Sequence, residues 1–418
     1  MSKIYKNIRK EYLFQFVKNA SLSEAVWMLF LAARGMNLIQ IGLLESIFHI
    51  TGMFMEVPTG FIADRYGRRT SRIIARGMAL VSSLILLGSH SFWGFALGFV
   101  FSALSFNLES GAGDALVYDS LVECGKEQEY MKVRGRSELC YQLAHILSLV
   151  IGGMVAGISY ELVYGLTAVI HIGALAISLG FEEPKVIQQN REDSLFRHMG
   201  QSLRAVWKNR AILPYMLHLE VFSLFYTTIH FYFQNFMKDS GYPEYQIGVM
   251  LAVASGLGAV ASLLAYKAER LLGEKRMILL TGLLPGALFG AMAFTRVEPV
   301  ILILIAGFEG LLFVVVGDYI HKRIPSEHRA LLLSFESMLF SMMMIVFFPV
   351  IGGVSQYFGF KNAFALVGAM SLVSGTITAF FLLKALKREK KGREVQNHEA
   401  NEALDGYNED EEKGLKLT

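Results

Sequence analysis

Gly60-Phe61-Ile62-Ala63-Asp64-Arg65-Tyr66-Gly67-Arg68-Arg69 decides the fold, because its charges are crowded into a short gap between two long apolar segments. A charged turn between runs of that length joins two membrane spans. Arg65, Arg68 and Arg69 hold it on the positive side of a bilayer, and Gly67 permits the positive φ of a tight turn. Gly60 is expected to let a neighbouring helix approach closely. Asp64, at the helix end, can pair with an arginine or sit against the N-terminus of another helix, and so latch one conformation. The plainer alternative is a positive anchor with no gating role.

The rest of the chain agrees with a membrane protein. Of 418 residues, 53% are hydrophobic and 18% charged, too apolar a balance for a soluble chain of this size. Apolar runs long enough to cross a bilayer occur twelve times, near 11–33, 39–63, 71–89, 92–117, 135–158, 160–181, 211–237, 244–266, 277–295, 299–320, 330–356 and 361–384. The first and seventh are the most polar. With both termini in the cytoplasm, the outer loops hold only Arg34, Lys238, Arg296 and Lys361, and the other loop lysines and arginines fall inside. That bias predicts a multi-pass protein of the cell membrane. The polar first span and the lack of a small-residue cleavage site argue against a removed signal peptide. Cys124 and Cys140 fall near the cytoplasmic side, so neither a disulfide nor a metal site is expected. The net charge of +3 reflects the inner loops and not a nucleic-acid surface.

The chain repeats itself. Gln40-Ile41-Gly42 recurs as Gln246-Ile247-Gly248, and Ile151-Gly152-Gly153 as Ile351-Gly352-Gly353. The Asp64-Arg65 turn is echoed by Glu269-Arg270-Leu271-Leu272-Gly273-Glu274, and Glu138 by Glu336. The shared order fits two parallel six-helix repeats. The expected organisation is one bundle over 1–181, a linker with an amphipathic helix over 182–209, a second bundle over 210–386 and a disordered charged tail over 387–418.

The opening stretch fills every fixed position of the pattern GxxxDRxGRR, and the chain resembles the major facilitator superfamily of transporters over nearly all of residues 1–390. Glu56-Val57-Pro58-Thr59-Gly60 and the loop Tyr319–Arg329 are similar to bacterial drug-efflux-like members. The resemblance implies an all-α fold of twelve transmembrane helices in two pseudo-repeats, with the first and fourth helices lining a central cavity. Two departures weigh against proton antiport. Asn107 stands where many proton-coupled members carry an arginine, and Ser148-Leu149 replaces the Gly-Pro pair of the antiporter signature.

Ionisable residues inside spans each need a reason, since a charge at the bilayer centre costs roughly 2.5–3.5 kcal/mol on insertion scales. Glu45, His49, Gly52 and Glu56 share one helical face, which lines the cavity as a proton relay or packs as a structural pair; Glu56 suits a structural or gating role. The resemblance raises Glu24 and Glu109 as coupling or substrate residues, with Asn107 beside them. Glu220 and Glu309 are the candidates of the second half. Asp114 and Asp119 are expected to pair with Arg134 or Arg136.

Acidic residues without lysine or arginine near mid-depth predict a neutral or cationic amphiphile. The expected function is therefore a monomeric secondary transporter working by alternating access, effluxing drug-like molecules against protons. The alternatives are proton-coupled uptake of a small nutrient and a non-transporting sensor or scaffold. No nucleophile–base pair, metal-ligand cluster or phosphate loop points to an enzyme or a cofactor.

Overall fold

The computed structural model describes residues 4–185, 204, 212–323 and 329–415, and among these there is no strand. The chain opens with α1 (Lys6–Asn19), a 3₁₀ turn (Leu22–Ala25) and α2 (Trp27–Ala33). The first span is therefore broken, where the apolar run suggested one continuous helix. The Ser23 N–H donates to Thr167 Oγ1 at 3.2 Å, so part of the backbone freed by the break finds a partner inside the protein.

An Asn37/Gln40 capping box starts α3 (Leu38–Tyr66), which stops at Gly67, with φ 97° and ψ 156°. Only glycine adopts that conformation readily, and α4 (Arg68–Gly88) begins at the next residue. The first half is completed by α5 (Phe92–Glu123), α6 (Tyr130–Ala156) and α7 (Tyr160–Leu179). The second half holds α8 (Leu213–Asp239), α9 (Glu244–Phe294), α10 (Glu298–Arg323), α11 (Arg329–Phe358) and α12 (Phe360–Leu415). A kink at Gly273, with φ 73° and ψ 159°, divides α9 into two passes. Gly67 and Gly273 thus share one backbone conformation, and the repeat seen in the sequence is a repeat of that turn.

Nine of the described helices are long and apolar enough to cross a membrane. The second pass of α9 and the two most polar spans, the broken first segment and α8, make the path consistent with twelve. The linker beyond Lys185, with its expected amphipathic helix, lies outside the described residues apart from Arg204, as does 324–328 of the loop after α10. At the other end α12 stays helical to Leu415, where a disordered tail was expected. Lys, Glu and Ala are strong helix formers whose backbone can order without a core.

The halves meet along α3 and α11, from Gly42 to Glu56, and along α6 and α9, with the closest backbone approaches at the ends far from the turn at Gly67. A Cβ on Gly42 would strike Pro349 of α11, and one on Gly248 would strike the Leu149 carbonyl and Gly153 of α6. The Ser46 hydroxyl donates to the Ile345 carbonyl at 2.7 Å, and the Tyr232 hydroxyl lies 3.2 and 3.1 Å from the carbonyls of Leu38 and Phe348. The two repeated motifs therefore meet crosswise: the Gln-Ile-Gly of each half packs where the Ile-Gly-Gly segment of the other begins or ends. Glycine is what lets these backbones touch.

Replacing Gly67 with alanine is expected to cost about 1–3 kcal/mol of backbone strain, read as a lower melting temperature in detergent, with Gly273→Ala similar. A methyl on Gly60 meets open space, so Gly60→Ala is expected to melt like the parent. Equal losses at all three would remove the conformational argument.

Candidate functional site

A cavity of about 740 Å³ lies against the first half. Its inner end is walled by Glu24, Trp27 and Glu45, its flank by Lys18, Arg76, Ser105 and Glu109, and Phe231 of α8 closes one side. Asp114 and Arg134, each about half exposed and paired at 3.1 Å, stand at its mouth on the side of the gate turn. The glycine seam between the halves lies toward the opposite ends of these helices and contributes none of the cavity-lining residues.

Behind the flank lies an ion cluster centred on a fully buried arginine. Arg72 has no exposed surface and donates from Nη1 to Glu11 Oε2 at 2.6 Å, and from Nη2 and Nε to Glu109 Oε1 at 2.9 and 3.1 Å. Gln15 donates to the other Glu11 oxygen at 2.7 Å. The rings of Phe14 and Phe181 cover the guanidinium, with centroids 4.1 and 4.8 Å away. Lys18 Nζ stands 3.6 Å from Glu109, and Arg76 reaches Ser105 Oγ at 3.3 Å.

These cations correct one expectation. The sequence was read as having no lysine or arginine near mid-depth, and Arg72 as a loop anchor; α4 instead starts directly after Gly67 and carries Arg72 and Arg76 inward on one face. Glu109 is consequently an ion-pair partner as well as a cavity residue. Asp114 pairs with Arg134 as expected, whereas Asp119 faces Arg68 at 4.0 Å.

The face Glu45, His49, Gly52 and Glu56 is divided between two tasks. Glu45 lines the cavity and lies 3.6 Å from His49, whose Nδ1 is 3.3 Å from Ser341 Oγ of α11. Asn107 donates to the Gly52 carbonyl at 2.6 Å, and Glu56 accepts from Ser334 of α11 at 3.0 Å. Of the remaining candidates, Glu24 lines the cavity, while Glu220 and Glu309, on α8 and α10, are not part of its wall.

The model of the family described as Major Facilitator Superfamily matches residues 13–308 and 268–408. The chain belongs to the major facilitator superfamily. It is 24% identical over 363 residues to an uncharacterized MFS-type transporter, YxaM, of Bacillus subtilis (strain 168), covering 83% of this chain and 88% of that one. Among solved structures it is similar to the nucleoside transporter NupG, with a TM-score of 0.70, 14% identity and coverage of 91% of this chain and 99% of the other. A D-xylose-proton symporter matches with a TM-score of 0.65 and 14% identity over 90% and 97% of the two chains. At such identities these structures speak to the fold alone.

The turn at Gly67 of this superfamily member is tied to its own half. Arg68 donates to Asp64 Oδ1 at 2.6 Å, and the backbone N–H groups of Arg68 and Arg69 donate to the two carboxylate oxygens of Glu183 at 2.6 and 2.7 Å. A carboxylate there satisfies the free N–H groups at the start of α4. Arg69 donates to the Leu179 carbonyl at 2.8 Å. Gly60 has no neighbour close enough to meet a Cβ, contrary to the close approach expected of it.

Sequence reasoning missed Glu11, Arg72, Arg76 and Glu183. Arg72 and Arg76 stand four apart on α4, and Glu11, Gln15 and Lys18 recur at intervals of four and three on α1. That pair of matched polar faces was the available signal. Glu183 had none, because its partner is a backbone end.

Removing Arg72 alone, as Arg72→Met, leaves buried Glu11 without a cation and Glu109 with only the longer contact to Lys18, and is expected to cost about 3–5 kcal/mol. The triple change Glu11→Gln, Arg72→Met, Glu109→Gln should restore much of the melting temperature; a triple variant as unstable as the single one would refute the charge account. Gly248→Val should part the seam. In a Cys124→Ser, Cys140→Ser background, a cysteine at Ser46 should then react with an impermeant maleimide from the far side, where the parent does not.

Proposed function

We propose that this superfamily transporter takes one small amphipathic solute into the cavity and moves it by alternating access, coupled to protons, in the direction of efflux. The observation that supports this is a cavity with the half-exposed pair Asp114 and Arg134 on the side of the basic turn, while the closest backbone contacts between halves lie at the opposite ends of the helices. A volume of about 740 Å³ suits a drug-sized or smaller molecule. Trp27, edge-on to Phe231 at 5.2 Å and 5.9 Å from Phe99, offers an apolar surface to its body. The basic residues beside the gate turn support a cytoplasmic mouth, hence loading from inside a cell membrane with both termini cytoplasmic. A monomer suffices for this scheme. Glu24 and Glu45 line the cavity and have no lysine or arginine partner among the described residues, which suits them to carry the proton.

Proton symport of a polar nutrient is the second reading. It is favoured by Ser148-Leu149 in place of Gly-Pro, since the Leu149 carbonyl already serves the seam by packing on Gly248. A scaffold would have no need for a cavity open at one end.

In everted vesicles loaded with a pH dye, aromatic amphiphiles added one at a time are expected to elicit proton movement that Glu45→Gln abolishes. Its sign separates efflux from symport. Movement that persists unchanged in both Glu45→Gln and Glu24→Gln would take the coupling role from these residues.

A further inference from the structure

The cluster on the cavity flank does not balance its charges. Lys18, Arg72 and Arg76 bring three cations against the two carboxylates of Glu11 and Glu109. Arg72 takes both carboxylates at hydrogen-bond distance, and Lys18 shares Glu109 at 3.6 Å. Arg76 is left over. It is 6% exposed, has no carboxylate within 4 Å among the described residues, and its Nε has no hydrogen-bond partner. Its one side-chain hydrogen bond is the 3.3 Å contact with the Ser105 hydroxyl.

A buried, unpaired guanidinium is costly in a closed protein and is retained where a ligand supplies the missing anion. Arg76 and Lys18 both line the cavity, so that anion can arrive through the mouth. Arg76 presents a planar fork of donors, which matches a carboxylate better than a spherical ion. Ser82, Ser83 and Ser102 add polar surface on the same wall, and the rings of Trp27 and Phe99 lie farther in. Glu109, which lines the same cavity, gives one oxygen to Arg72 and Lys18, while its other oxygen has no hydrogen-bond partner.

We propose that Arg76 and Lys18 form an anion-binding subsite, and that the solute this cavity takes is an amphipathic monocarboxylate, its head on Arg76 and its apolar body against Trp27 and Phe99. This rests on reading the cavity as the transport site. It reverses the preference for cations that the acidic residues alone suggested.

Phenylacetate, hexanoate and indole-3-acetate, each beside its own amide, test the assignment by their effect on the melting temperature of the full-length protein in detergent at fixed sodium chloride. At least one carboxylate is expected to stabilise the protein at a concentration ten-fold or more below that required of its amide. Arg76→Gln should erase that difference and Arg76→Lys should keep part of it; Lys18→Gln, expected to weaken it, serves if Arg76→Gln does not fold. No carboxylate outperforming its amide, a difference that survives Arg76→Gln, or equal protection by chloride would each overturn the proposal. Flux of the same compounds and of phenethylamine in proteoliposomes separates the two claims. Carboxylate binding without flux of any compound sinks the transport reading and leaves the subsite. Phenethylamine flux without carboxylate binding sinks the subsite and leaves transport.

Discussion

An arginine with no water around it must be surrounded by its own counter-charges, and Arg72 is where the first half meets that demand. Glu11 comes from α1 and Glu109 from α5, while Phe14 and Phe181 close the faces from α1 and the end of α7. One side chain on α4 therefore fixes the positions of three other helices. Glu183 extends the same brace by joining the chain after α7 to the first turn of α4. Elements bound in this way can shift only together, which is what a half that moves as one body requires.

The contacts between halves are of another kind. They are mostly backbone against backbone through Gly42, Gly153, Gly248 and Gly352, supplemented by hydroxyl hydrogen bonds that include those of Ser334 to Glu56 and of Tyr160 to Glu244, with no ion pair between halves among the described residues. Dispersion between close surfaces is gained and lost in small steps, with no buried ion to expose when the surfaces separate. The strong interactions thus lie within the first half and the weak ones between halves, so the protein is stiff in one place and separable in the other. Sheltering the cation cluster inside a half lets the seam open without solvating it.

Much of this architecture could be read from residue types. Gly67 and Gly273 announced their turns because glycine alone tolerates that backbone, and the paired Gln-Ile-Gly and Ile-Gly-Gly motifs announced two halves. The site was less legible. Arg72 and Arg76 follow a run of arginines that the positive-inside bias explains well, and nothing in a one-dimensional pattern separates the last anchoring arginine from the first buried one. The difference lies in α1, whose polar face supplies Glu11 and Lys18 only once the helices are packed. Glu45, His49 and Glu56 were correctly placed on one face of α3, but a face says nothing of which neighbour each residue meets: Glu45 met the cavity and the other two met α11.

Were the halves to rock about the glycine contacts, those contacts would act as a fulcrum near one end of α3, and the Glu56–Ser334 hydrogen bond farther along would have to break. From Gly42 to Tyr66, α3 runs about 24 residues, or about 36 Å at the α-helical rise. A rotation of about 10° at the glycine contacts then sweeps the gate turn through about 6 Å. Displacements at the fulcrum itself stay within the slack of van der Waals contacts. In such a motion a doorway wide enough for a small molecule would be worked from a joint whose own displacements are small.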